Sequence, residues 1–336
     1  MLYIMKHPPA RAALTALAFA IMTSAVPASA ASATATICTS TSLTLPPGER
    51  YPNGIARASD GTLYVGLITS GHILRKRPNE DWEIFFAGAD TVFSSTTLRL
   101  DEQHGLLWGN SPDFLPAGQT RPHRIFALNV SDATINRSLT LPEGGMGNDL
   151  VVAKDGTVYV TETKAGNIMR LRPGESEFKI IFRDKRLADP SGLGAAGIVL
   201  INDQSMAISN FGSGKLYSLS YGEKTPRLLE ILLPRTIENP DGMRLAPDGA
   251  LIVLENGIKS GQGRILRIAS PGTTGMHAIE VIREGMESPV NLDITPQGCA
   301  FVSESRIRHR LLPGRAAEVP DSFRIYQFQL PLSATH

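Results

Sequence analysis

Asn53-Gly-Ile-Ala-Arg-Ala-Ser-Asp-Gly-Thr-Leu-Tyr-Val65 reads as one short strand, a tight Asp-Gly corner and the opening of a second strand. The phrase returns as Asn148-Asp-Leu-Val-Val-Ala-Lys-Asp-Gly-Thr-Val-Tyr-Val160 and as Asp241-Gly-Met-Arg-Leu-Ala-Pro-Asp-Gly-Ala-Leu-Ile-Val253. Fainter copies run over Thr97–Trp108, Ala196–Ile208 and Val290–Val302. The corner therefore falls at Asp60, His104, Asp155, Asp203, Asp248 and Gln297, at intervals of 44, 51, 48, 45 and 49 residues. A repeat of that length built from strands signals a propeller blade, and six copies predict a six-bladed all-β propeller. In such a ring the first residues of the inner strands converge on the central axis, which is where function is to be sought.

Working outward, each repeat divides into four strands by alternation and turn residues. In the first, Asn53–Ala58, Thr62–Leu67, His72–Arg77 and Trp82–Ala87 are separated by Ser59-Asp60-Gly61, Ser70-Gly71 and Asn79-Glu80-Asp81. Outer strands are expected near Arg227–Leu232 and Met276–Arg283. The sixth repeat ends after its third strand, Phe323–Leu330, so its outer strand is expected from Thr36–Leu45, closing the ring and removing unpaired edges. Two long connections, Asn110–Pro122 and Glu304–Ser322, should rim one mouth of the channel. The second carries Arg306, Arg308, His309 and Arg310, either an attraction for an anion or a solvated charge run.

The chain has 336 residues, 42% of them hydrophobic, and a formal charge of +1, a balance that gives no support for nucleic-acid binding. Lys6, His7 and Arg11 precede an apolar run, Ala12–Val26, and then Pro27-Ala28-Ser29-Ala30. That is the form of a secretory signal with cleavage after Ala30, and the apolar run is too short for a stable membrane span. The expected organisation is a signal peptide over residues 1–30 and one propeller domain over 31–336, a periplasmic or secreted monomer acting on a small molecule. Ile37 argues against a lipid anchor on Cys38. Export would place Cys38 and Cys299 in an oxidising compartment, where they could bond across the ring closure or remain two separate buried thiols.

The axial set by this alignment is Asn53, Thr97, Asn148, Ala196, Asp241 and Val290. Its amide and carboxylate oxygens suit a hard divalent cation such as calcium, whereas polar groups at a channel mouth can also simply hold water. A second recurring set, Asn110, Glu162, Asn210, Glu255 and Glu304, ends the second strands. Because it recurs in nearly every repeat, it reads as turn-capping rather than as a carboxylate cluster.

The repeats, and above all Gly147-Asn148-Asp149 and Asn239-Pro240-Asp241-Gly242, resemble the family of senescence marker protein, gluconolactonase and luciferin-regenerating enzyme. Paraoxonases and strictosidine synthases are more distant. The resemblance implies Asn148 and Asp241 as ligands of a divalent ion, Asp241 also as the base, and Asp149 as a substrate contact. Asn53 stands where the family has a glutamate, still an oxygen donor, and Ala196 stands where it has a second asparagine. The implied calcium site is therefore weak or altered; Asn291 could replace a ligand if the sixth register is shifted by one.

The function expected is a metal-dependent lactonase or esterase-like hydrolase. The alternatives are a non-catalytic propeller that binds a ligand or protein, and a metal-free enzyme resembling strictosidine synthase. No Gly-x-Ser-x-Gly elbow, phosphate-cradling loop or paired histidine spacing points elsewhere.

Overall fold

The computed structural model describes residues 38–113, 121–222, 224–269, 271–272 and 274–332. The expected signal peptide and the tip of the Asn110–Pro122 connection lie outside them. The described residues form six four-stranded antiparallel sheets, a six-bladed propeller with almost no helix. After β1 (Thr41–Thr44), the first blade is β2 (Pro52–Arg57), β3 (Leu63–Leu67), β4 (His72–Lys76) and β5 (Trp82–Ala87). The second is β6 (Thr97–Asp101), β7 (Leu106–Ser111), β8 (Arg124–Asn129) and β9 (Ile135–Leu139). The third comprises β10 (Gly147–Val152), β11 (Val158–Glu162), β12 (Asn167–Leu171) and β13 (Lys179–Arg183). The fourth comprises β14 (Ala195–Asn202), β15 (Ser205–Asn210), β16 (Lys215–Ser220) and β17 (Arg227–Ile231). The fifth runs β18 (Pro240–Leu245), β19 (Leu251–Glu255), β20 (Gly263–Ile268) and β21 (Glu280–Met286). The last has β22 (Pro289–Ile294), β23 (Cys299–Glu304) and β24 (Arg324–Gln329), with β1 paired outside β24 so that Thr41 faces Gln327 and Thr44 faces Arg324.

The Asp-Gly corners form for a local reason. Asp60, Asp155 and Asp248 each accept a hydrogen bond from the backbone N–H two residues on, at 2.8, 3.0 and 3.2 Å. The intervening Gly61 takes a φ of 94°, which glycine adopts without a Cβ penalty. The outer strand of the fifth blade begins at Glu280, later than expected, because Met276 instead makes an isolated parallel bridge to Leu232 of the fourth blade.

Packing follows the blades. Second strands are buried on both faces, so Leu63, Val65 and Leu67 pack toward the sixth blade while Tyr64 packs toward the second. Six apolar clusters result, one at each interface between neighbouring blades. The cluster between the first and sixth unites Leu45, Tyr51 and Ile55 with Phe301, Phe323 and Ile325, residues from the two ends of the chain. There Cys38 and Cys299 are bonded, with Cα atoms 5.8 Å apart across a sequence separation of 261. Trp82 of β5 also donates its indole N–H to the Thr44 carbonyl at 3.0 Å.

Five of the six inner strands leave register near the axis: between Pro52 and Ile55, Gly147 and Leu150, Ala195 and Ile198, Pro240 and Met243, and Pro289 and Asn291. A bulge of this kind turns side chains out of the ladder and frees backbone groups. Hydroxyls of the second strands satisfy several of them and stitch each blade to the next. Thr161 accepts from Asp149 N–H and donates to the Ala196 carbonyl at 2.6 Å. Ser209 accepts from Gly197 N–H at 2.7 Å and reaches the Asp241 carbonyl at 3.3 Å. Ser303 donates to the Asn53 carbonyl at 2.6 Å, joining the last blade to the first. The inner strands approach so closely here that a Cβ on Gly54, Gly197 or Gly242 would fall within 2.8 Å of the neighbouring inner strand.

Candidate functional site

The bulged positions open onto a cavity of about 100 Å³ at one mouth of the channel, room for several waters or the reacting end of a small ligand. Asn53, Asn148, Asp149 and Asp241 all line it, together with Thr96, Thr97, Asn256, Val290 and Asn291. Ala196 is not among the lining residues; its carbonyl is spent on Thr161.

The two carboxylates differ in their surroundings. Asp149 is buried and engaged on both oxygens. Its Oδ1 accepts from the Arg99 guanidinium at 2.7 Å, from Leu150 N–H at 2.9 Å and from the Thr97 hydroxyl at 3.2 Å, and its Oδ2 accepts from Ile198 N–H at 3.2 Å. Among the described residues Asp241 has no basic partner: the Asn256 amide donates to its Oδ2 at 2.9 Å. Burial raises its pKa to about 7, Asp149 adds to the rise, and the Asn256 hydrogen bond partly opposes it.

Beneath the cavity lie the buried Arg99 and the part-buried Arg244. Arg99 donates to the Leu98 carbonyl, and Arg244 donates to the Met243 carbonyl, both at 2.6 Å. Both also reach Asn291 Oδ1, at 3.4 and 3.3 Å, and Leu292 N–H takes a further share of that oxygen at 3.0 Å. Asn291 thus lines the cavity with its carbonyl oxygen already committed. Burial, helped by the Arg99 charge, pushes the Arg244 pKa down to about 9, still on the charged side at neutral pH.

Among the described residues no group of three or more His, Cys, Asp or Glu side chains stands ready to hold a metal. The lining oxygens that remain are the Asn53 and Asn148 amides, the Asp241 carboxylate, and the Asn256 Oδ1 and Thr96 hydroxyl, both buried without a hydrogen-bond partner. Hard amide and carboxylate oxygens fit calcium in kind, and one carboxylate predicts modest affinity.

Four of the five strand-end residues accept backbone N–H groups, Asn210 from Ser213 at 3.0 Å, whereas among the described residues Asn110 caps no turn and donates its amide to the Asn148 carbonyl at 2.6 Å. Glu162 accepts backbone N–H groups of Met146, Lys164 and Ala165; Glu255 accepts that of Glu238 and two arginines; Glu304 accepts that of Glu287. Part of the basic run of the last connection is engaged within the fold: Arg306 pairs with Glu304 at 3.1 Å, while Arg310 is exposed. The connection's short helix α1 (Arg308–Leu311) carries Arg308, bonded to the Ile258 and Lys259 carbonyls and to Glu287, and His309, 3.2 Å from Glu287.

Sequence reading missed Asn256, Arg99, Arg244 and the Thr161, Ser209 and Ser303 stitches. The stitches carried a signal, since each hydroxyl directly precedes a turn-capping Glu or Asn. Asn256 directly follows one, as does the lining residue Phe211, and Ile68 holds the equivalent place in the first blade after Leu67. Arg99 and Arg244 sit at positions no repeat pattern marks.

No protein-family profile matches the chain, and no curated protein matches it in sequence. Solved structures do match. A gluconolactonase from Xanthomonas campestris is 15% identical, with a TM-score of 0.62 over 87% of this chain and 90% of that one. Regucalcin from Agrobacterium tumefaciens, a calcium-binding protein, is 14% identical, with a TM-score of 0.59 over 84% and 90%. Virginiamycin B lyase from Staphylococcus aureus is also 14% identical, with a TM-score of 0.58 over 87% and 99%. At such identities the likeness is one of fold, the six-bladed propeller that this chain shares with gluconolactonase, regucalcin and streptogramin-lyase structures.

Proposed function

We propose that the chain is an exported hydrolase that opens a small lactone or ester in the axial cavity. The observation that carries this reading is the contrast between its two carboxylates: Asp149 is bound to Arg99, whereas Asp241 lines the cavity with no Lys, Arg or His among the described lining residues. In this reading Asp241 takes the proton from an attacking water as the new carbon–oxygen bond forms at the carbonyl. The same proton passes to the leaving oxygen as the ester bond breaks. Asn256 fixes the rotamer of the base through Oδ2, and the Asn53 and Asn148 amides flank the acyl group. Asn53, Asn148 and Asp241, with the unpartnered Asn256 Oδ1, would hold a hard divalent cation such as calcium. When bound, such an ion supplies carbonyl polarisation and charge stabilisation for the developing oxyanion.

Export is supported by the Cys38–Cys299 bond, which persists in oxidising compartments, and by the basic-apolar-Ala-x-Ala leader over residues 1–30. Among the described residues no helix is long and apolar enough to cross a membrane. The test is hydrolysis of a lactone and ester panel by the mature protein, with and without chelator, beside Asp241→Asn. Activity lost on chelation, restored by calcium and absent from the variant is expected. Turnover untouched by chelator and variant alike would overturn the proposal, and no turnover of any panel member would favour a binding propeller.

A further inference from the structure

We infer that the cavity selects uncharged, hydrophobic carbonyl compounds, lactones or esters bearing an alkyl or aryl substituent, over polyhydroxylated or carboxylate-bearing ones. This rests on reading the cavity as the substrate site.

Charge comes first. Among the described residues lining the cavity there is no Lys, Arg or His, and both ionisable groups are carboxylates. Arg99 and Arg244 lie below and are not part of the wall. In the metal-free cavity an anionic substituent would meet Asp241 with no compensating side-chain cation in the described wall, a repulsion that low local dielectric strengthens.

Polarity is then divided by depth. The groups able to pair with a ligand are Asn53, Asn148 and Asp241 at the axial strand ends, Thr96 just before β6, and Asn256 just after β19. Thr97, Asp149 and Asn291 also line the wall but are already hydrogen-bonded, and its larger remaining side chains are apolar: Ile68, Met146, Leu193, Phe211, Ile258 and Ile307. A carbonyl on the amides would leave its substituent against this collar, where a hydroxyl would surrender water without finding a partner. An alkyl group there gains from burial.

The collar is also prebuilt. Ile68 and Phe211 occupy, in the first and fourth blades, the place Asn256 holds in the fifth, directly after the second strand. Ile307 precedes α1, which Arg308 pins through the Ile258 and Lys259 carbonyls and Glu287. Leu311, 38% exposed, forms the lip.

The experiment uses unhydrolysable mimics, γ-lactams substituted with methyl through hexyl and a polyhydroxylated δ-lactam, binding to the mature protein by calorimetry. Kd is expected to fall about fourfold per added methylene over the first few carbons. The polyhydroxylated lactam should bind at least tenfold more weakly than the butyl one. Phe211→Ser, and Leu311→Ser at the exposed lip should the first fail to fold, are expected to flatten the chain-length series. A flat series in the unaltered protein, tighter binding of the polyhydroxylated lactam, or no binding by any lactam would overturn the inference. Because lactams are not turned over, the two claims separate. An alkyl series behaving as expected while no lactone is hydrolysed would leave the pocket chemistry standing and remove the hydrolase reading.

Discussion

The carboxylate of Asp149 ties three blades together, with Arg99 and the Thr97 hydroxyl of the second blade on Oδ1 and the Ile198 N–H of the fourth on Oδ2. It lines the cavity, and its bonding is that of a clamp. Breaking a buried ion pair from one side strands the other charge at a cost of about 3–5 kcal/mol. Asp149→Ala and Arg99→Met should each lose about that much in urea unfolding, with the double variant losing well under the sum. A cost below about 1 kcal/mol for Asp149→Ala would show that the clamp does not hold the ring.

Asp241 predicts a pH signature in the chelated, metal-free protein. Its native pKa of about 7 lies above the ordinary 3.8, so between those values the folded state holds a proton that the unfolded state has released. Stability from this group is complete below the lower value and declines as pH rises through the upper one. Asp241→Asn carries no such charge and should lack the decline. At pH 8 the variant should be more stable than the parent by about 2–4 kcal/mol, with the gap closing toward pH 4. Thermal melts across that range check it, and parallel curves for the two proteins would refute the burial argument.

The legible parts of the chain were those whose cause is local. Asp60, Asp155 and Asp248 betray their hairpins because each bonds an N–H only two residues away, and that repeated signal yields blade count, strand order and axis. Asn53, Asn148 and Asp241 could be placed by register for the same reason. Arg99, Arg244 and Asn256 could not, since each occurs once and acquires its role from neighbours 15 to 192 residues away. Cys38 and Cys299 sat between: their number and export suggested a bond, but only the pairing of β1 with β24 brings them together. The bulges were invisible because they displace strand starts by a single residue without altering the repeat.

Gly197 offers a way to disturb the site without touching any polar group in it. A Cβ there would stand 2.2 Å from the Asp241 carbonyl oxygen, so Gly197→Ala must push the inner strand of the fifth blade away from that of the fourth. Overpacking of this kind costs about 1–3 kcal/mol. Displacing Asp241 by a fraction of an ångström should also lower kcat/KM for the best lactone by about tenfold or more. Melting and kinetics on the same preparation test both. A variant with parental activity would mean that the strand spacing at Asp241 is not what positions the base.

The Cys38–Cys299 bond should matter at one seam of the ring. It fastens the residues just before β1 to β23, and β1 is otherwise held by its ladder with β24, by Leu43 and Leu45 in the first-to-sixth cluster, and by Trp82 on the Thr44 carbonyl. Four strand residues give little cooperativity alone, so without the cross-link the closing strand should open while the other blades stay folded. Cys38→Ser with Cys299→Ser is expected to cost about 3–5 kcal/mol overall. Amide exchange should rise first over Thr41–Leu45 and Arg324–Gln329, with β11 and β15 as protected as in the parent below the unfolding transition. Uniform loss of protection through all blades would mean that the ring has no separable closure and unfolds only as a whole.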